Sequence, residues 1–262
     1  MNSRAVLRRS STPAVVSLFL AAAVLLSACA TPVGVRRLDP EEANQKITAT
    51  VLSAGKLSAA TLQILNRSGL AETFRSEPAA AVAALHRGVP TVSSSDRFFA
   101  LAELSFRHAF QGGGPSYYLA AAVYAYAFLF PRDGRGAPDA FDPRLRTAVD
   151  LFNRGLSEGF SDPASRQVVL ASGTYRLPFG ELLVQIDPAE FRWGPFRMVD
   201  FIDAAELDVR GLRNDYRWPG IGAALVASLR HVPGAYERDF ARVPSSLKVP
   251  VTAVLHVPNI EE

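Results

Sequence analysis

Gly155-Leu156-Ser157-Glu158-Gly159 is where residue types and spacing first suggest chemistry, because glycine-x-serine-x-glycine is the pattern of a hydrolase nucleophile elbow. An elbow needs a buried strand before the serine and a helix after it, so that a strained turn lifts the hydroxyl into the open. Here Leu145, Val149, Phe152 and Leu156 recur at helical spacing ahead of the serine, and Phe160-Ser161-Asp162-Pro163 reads as a helix exit. Ser157 is therefore expected at a helix end, facing water. It is kept as the one candidate nucleophile, with His231 or His256 downstream as partners; otherwise no catalytic residue is expected.

The remaining constellations are weaker. His86, His108, His231 and His256 stand far apart with no second histidine or cysteine at ligand spacing, so neither a metal nor a cofactor is expected. Gly112-Gly113-Gly114-Pro115 could expose helix amides to a phosphate but lacks the lysine and hydroxyl of a phosphate loop, and it reads as a connector. Glu181, Asp187, Glu190 and Asp208 show no pairing by spacing. From Arg210 to Gly220 arginines alternate with aromatic residues. Arg210, Arg213, Tyr216, Arg217 and Trp218 are the interaction candidates, suited to anionic lipid headgroups, a carboxylate or a protein partner; the plainer alternative is a solvated loop with its arginines stacked on neighbours.

The N-terminus carries the sharpest signal. Arg4, Arg8 and Arg9 precede an uncharged run from Ala14 to Leu26, which ends in Leu26-Ser27-Ala28-Cys29. The run has about 13 residues where a membrane span takes about 20, so residues 1–28 read as a signal peptide. Cys29 is the only cysteine. Its four-residue context resembles the lipobox of bacterial lipoproteins. That resemblance implies cleavage between Ala28 and Cys29, acylation of the cysteine by diacylglyceryl and fatty-acyl (palmitate-type) chains, and anchoring to the lipid bilayer. Ala30 rather than aspartate after the cysteine implies sorting to the outer membrane of a bacterial cell envelope, on its periplasmic face. The Arg8-Arg9 pair lacks the apolar residues that a twin-arginine signal would place after it.

Processing changes the charge. The 262 residues hold 28 basic and 25 acidic side chains, and removal of the three arginines within residues 1–28 leaves 25 of each. A nucleic-acid partner, which needs an overall basic footprint, is not expected. With its one cysteine lipidated the chain forms no disulfide, and its stability must come from its core.

These residues need elements to position them. We expect residues 29–45 to be the lipidated cysteine and a tether, residues 46–162 a helical subdomain, and residues 163–262 a β-rich subdomain. Ser58, Pro78, Ser93 to Asp96, Pro115 and Asp142-Pro143 mark helix starts, and Gly69 and Gly88 mark ends. Tyr117 to Phe130 carries no charge, so that helix belongs in the centre of the domain. The helix pairs look like tetratricopeptide hairpins, too few for a solenoid. Strands are expected at Val168–Ser172, Tyr175–Leu177, Gly180–Asp187, Glu206–Arg210 and Val249–Val257, with a helix or apolar turn at Gly222–Leu229. The fold class is α+β, helices first and strands second.

Four stretches together carry a wider resemblance: Val35-Arg36-Arg37-Leu38-Asp39-Pro40, Phe99 to Phe106, Tyr118 to Tyr126, and Val209 to Asn214 with Gly220-Ile221-Gly222. They resemble the N-terminal region of large bacterial lipoproteins of the alpha/beta hydrolase, esterase-like type. The resemblance spans nearly the whole mature chain and implies an accessory, anchoring region for a hydrolase. It also implies that the hydrolase domain, with its histidine-glycine oxyanion segment and serine elbow, would follow this region. Nothing from Val249 to Glu262 resembles that domain, so it is expected to be missing here and no catalytic residue transfers. The loop from Arg210 to Gly220 is then the expected dock for a hydrolase partner. Two alternatives stay open: a stand-alone scaffold or binding lipoprotein of the outer membrane, and a serine hydrolase using Ser157.

Overall fold

The computed structural model describes residues 34–88, 92–131, 136–208, 220–232, 244 and 246–257. It divides into two compact units, residues 1–47 and 48–262. In the first, Asp39 opens helix α1 (Pro40–Thr48) by accepting the Glu42 N–H on its side chain at 2.9 Å. Among the described residues, the hydrophobic core lies in the second unit, from Val51 to Val257.

Helices fill its first part: α2 (Ala59–Arg67), α3 (Ala71–Ser76), α4 (Pro78–His86), α5 (Ser94–His108), α6 (Pro115–Leu129) and α7 (Arg144–Gly159). The starts follow local chemistry. The Ser58 and Ser93 hydroxyls accept the amides of Thr61 and Asp96, which would otherwise lack partners, and Pro78 and Pro115 occupy first-turn positions where no amide is needed. Between α5 and α6 the chain reverses through Gly112 and Gly114, whose φ angles of 104° and 93° exclude most other residues. The uncharged helix α6 is central as expected: Leu119–Ala122 and Tyr124–Leu129 are all buried, with α5 and α7 packed against it.

Arg144 fastens this bundle. Its guanidinium pairs with Asp96 at the start of α5 (2.6 Å) and with Asp142 (2.8 Å), and it lies over the rings of Phe99 and Phe128. Burial pushes the Asp96 pKa up, but the hydrogen bonds from Arg144 and Ser93 outweigh that and hold it below the usual carboxylate range.

The second part is strand-rich. Strands β1 (Gly173–Leu177) and β2 (Gly180–Val184) form an antiparallel hairpin. Strands β3 (Arg192–Trp193), β4 (Phe196–Asp203), β5 (Ala223–His231) and β6 (Lys248–Ala253) form an antiparallel sheet in that order. Ala223, Leu225 and Ala227 bury the inner face, β5 packs on α7, and β1 packs on α6. The α+β class with helices first is therefore what the chain adopts. One core runs across the 162/163 division between its helical and strand-rich parts.

Several strand expectations need correction. The segment expected as a helix or apolar turn, Gly222–Leu229, is strand β5 from Ala223 onward, where alternate residues face the core. Val168–Ser172 is not a strand; only Val168 bridges, to Ser161 and Phe201. Glu206–Arg210 does not begin as one either, since Ala204–Glu206 is a short helical turn capped by Asp203, and residues 209 and 210 lie outside the described residues. Strands β3 and β4 were not anticipated. In β4 the pairing register shifts between Val199 and Ile202, and Asp200 sits at φ 53°, so the two-residue period is broken midway.

Candidate functional site

Ser157 lies within the last turn of α7, preceded by three helical turns rather than a strand. It does not face water as expected: it is 3% exposed. The flanking glycines have another explanation. Gly155 and Gly159 are four residues apart and so share one helix face. A Cβ at Gly155 would meet the Tyr118 carbonyl oxygen at 2.8 Å, and one at Gly159 would meet the Leu119 side chain at 2.6 Å. The pattern that imitates an elbow is thus a close approach of α7 to α6. A side chain at Gly155 would push the two backbones apart, and one at Gly159 would displace the Leu119 side chain.

The histidines disperse as their spacing suggested. His86 Nδ1 and the Tyr124 hydroxyl are 2.8 Å apart, and the His86 ring stacks on Phe179, at the turn of the β1–β2 hairpin, at 4.5 Å. His256 Nδ1 and the Tyr126 hydroxyl are 2.9 Å apart. His231 meets the edge of Phe196, and His108 meets Tyr117; burial holds the His108 pKa below its usual value. Among the described residues no three His, Cys, Asp or Glu side chains come together.

One buried acid escaped the sequence reading. Glu103 stands inside the apolar run of α5 and is fully enclosed. Its Oε2 accepts the Ser58 hydroxyl (2.5 Å), the Thr61 hydroxyl (2.5 Å) and the Ser58 amide (3.2 Å), all at the start of α2, while Oε1 is buried without a partner. Burial is the dominant influence and raises its pKa, against these hydrogen bonds. A lone charge in Phe98–Phe106 was the available signal.

A hollow lies between the hairpin, the inner side of β5 and β6, and the end of α7. It encloses about 940 Å³. Leu156, Phe160, Leu182, Val184, Leu225 and Val251 give it apolar walls, and Glu181, Asp187, Glu190 and His256 add polar groups. Glu181, Asp187 and Glu190 thus line one cavity without forming a cluster, while Asp208 does not line it. Ser157 does not line it either, although its neighbour Leu156 does. Such a space suits an apolar body with a polar or cationic end; it does not present the serine.

Cys29 and the interaction candidates Arg210, Arg213, Tyr216, Arg217 and Trp218 lie outside the described residues. Just after that loop, however, Asn153 on α7 donates to the Gly220 carbonyl (2.8 Å) and accepts the Gly222 amide (2.6 Å). The two bonds of one side-chain amide fix where the loop rejoins the body.

No family model matches this chain, and neither does any curated protein or solved structure.

Proposed function

We propose that this chain is a lipid-anchored protein of the bacterial cell envelope, an accessory region of an alpha/beta-hydrolase-type lipoprotein and not a hydrolase acting through Ser157. The observation that carries the proposal is Leu26-Ser27-Ala28-Cys29, with the only cysteine standing behind a short apolar run preceded by arginines. Burial of Ser157 in a helix supports the negative half, because an elbow needs an exposed hydroxyl on a strand-to-helix turn. Cys29→Ala should leave an unprocessed or soluble form, whereas the unaltered protein takes up labelled fatty acid and sediments with membranes. Release of the unaltered protein by salt alone would overturn the anchor. Ser157→Ala should hydrolyse short acyl esters no more slowly than the unaltered chain. A serine-dependent rate orders of magnitude above background would restore the hydrolase.

The cavity favours a second reading, a self-contained binding lipoprotein. Its apolar walls and acidic groups suit an amphipathic ligand with a cationic end. Leu182→Trp, which would fill the space, should then abolish uptake of a fluorescent cationic amphiphile, and unchanged uptake removes this reading.

A further inference from the structure

The outer face of the four-stranded sheet carries charges in an arrangement that sheets ordinarily avoid. Arg192 on β3 is the register partner of Arg197 on β4, and Arg197 is the partner of Arg230 on β5. Three guanidinium side chains therefore stand directly opposite one another in one row across three strands, each exposed. Like charges in that relation destabilise a sheet. None of the three has an ion-pair or hydrogen-bond partner among the described residues. In the next row, Val199, Ser228 and Lys248 are register partners, and Lys248 Nζ donates to the Ser228 hydroxyl at 2.6 Å. Beyond that the face turns apolar, with Ile202, Val226 and Pro250 in register.

We infer that this face docks on an anionic lipid surface through Arg192, Arg197, Arg230 and Lys248. The mature chain is close to neutral overall, so four cations without a carboxylate partner on one sheet face are a local concentration and not a reflection of composition. Arg197 and Arg230 also line an open hollow of about 510 Å³ with Val199 and Asp200; the exposed row suits an array of phosphate headgroups, and the adjoining apolar row can meet the boundary below them. Each basic side chain near such a surface contributes about 5-fold to binding. Among the described residues no aromatic side chain stands in these three rows, which therefore offer no ring for nucleic-acid bases to stack on. The choice of a membrane over an acidic protein rests on the proposed lipid anchor, which would hold the face near phospholipid.

The test uses residues 48–262, which form one compact unit containing the whole core and exclude Cys29, so docking and anchoring can fail separately. A cooperative thermal transition checks that this piece and each variant are folded. The piece is then sedimented with phosphatidylcholine vesicles and with vesicles in which a third of the lipid is phosphatidylglycerol. It should bind the anionic vesicles at 50 mM salt and leave them at 500 mM. The double change Arg197→Glu with Arg230→Glu should weaken this by at least about 25-fold, while Arg176→Glu on the separate hairpin changes nothing. Equal binding to both vesicle types, or binding indifferent to the double change, overturns the inference. So does retention on poly-glutamate without vesicle binding, which would make the face a dock for an acidic protein. If Cys29 fails to take up fatty acid while the piece still binds anionic vesicles, the docking inference stands and the anchor falls.

Discussion

Helices α5 to α7 and the four-stranded sheet treat their charges in opposite ways. In the helices the charges at the heart of the packing are held by partners: Arg144 holds Asp96 and Asp142, and one carboxylate oxygen of Glu103 receives three donors from Ser58 and Thr61. The sheet buries one face through Ala223, Leu225 and Ala227 and leaves three arginines on the other face opposed and unpaired. Charge is neutralised where it would threaten the fold and left available where it faces outward. The helical part is thus organised for stability, and the outer face of the sheet is organised for recognition.

The comparison is sharpened most by removing bulk. Phe152 on α7 is completely buried and packs near Tyr126, so Phe152→Ala should cost about 3–5 kcal/mol. Leu183 on β2 is 66% exposed, and Leu183→Ala should stay within about 0.5 kcal/mol. Urea unfolding of both variants measures the difference. Equal losses would mean that the hairpin is as tightly built as the bundle.

How much of this was legible in the sequence follows the same division. Helix starts were readable because single residues mark them: Ser58, Pro78, Ser93 and Pro115 each stand where a helix begins. The strands were harder. Ala223 to Ala227 is a short, alanine-rich apolar run with no period to tell strand from helix, and β4 hides its alternation behind the bulge at Asp200. The helical setting of Ser157 was legible from the apolar stripe ahead of it, but its burial and the packing role of Gly155 and Gly159 needed the neighbouring helix to be seen. The arginine row was out of reach, since Arg197 and Arg230 are brought together only by strand register.

Glu103 tests how far the bundle depends on satisfying its one enclosed acid. Glu103→Ala would leave the Ser58 amide and two hydroxyls facing an empty site, at a cost of about 1–3 kcal/mol. The pH dependence has a defined sign. Because burial raises the folded pKa, the folded state holds the proton more tightly than the unfolded chain. The contribution is fully present below the ordinary glutamate pKa and is lost as pH rises through the raised one. Glu103→Gln should remove that fall from a plot of unfolding free energy against pH. A plot that keeps it in the variant would place the titration elsewhere.

The smallest expected effect bears most directly on the sheet. If the three arginines are held opposite one another for recognition, the fold bears their mutual repulsion, and relieving it should stabilise the protein. Arg197 is the middle member of the row, with Arg192 on one side and Arg230 on the other, so replacing it removes both opposed pairs at once. Threonine suits a strand and keeps a polar group on the exposed face. Arg197→Thr should therefore raise stability by about 0.2–1 kcal/mol at low salt, since a cross-strand pair is worth about that much in either direction. The gain should shrink at 0.5 M salt, where screening already weakens the repulsion. Arg176 on the hairpin, whose register partner is Glu181, provides the contrast: Arg176→Thr removes an opposite-charge pairing and should not stabilise. Thermal melts of the two variants at low and high salt decide it, and a loss of stability in Arg197→Thr would show that the arginine stems pack on the sheet and support the fold they were taken to burden.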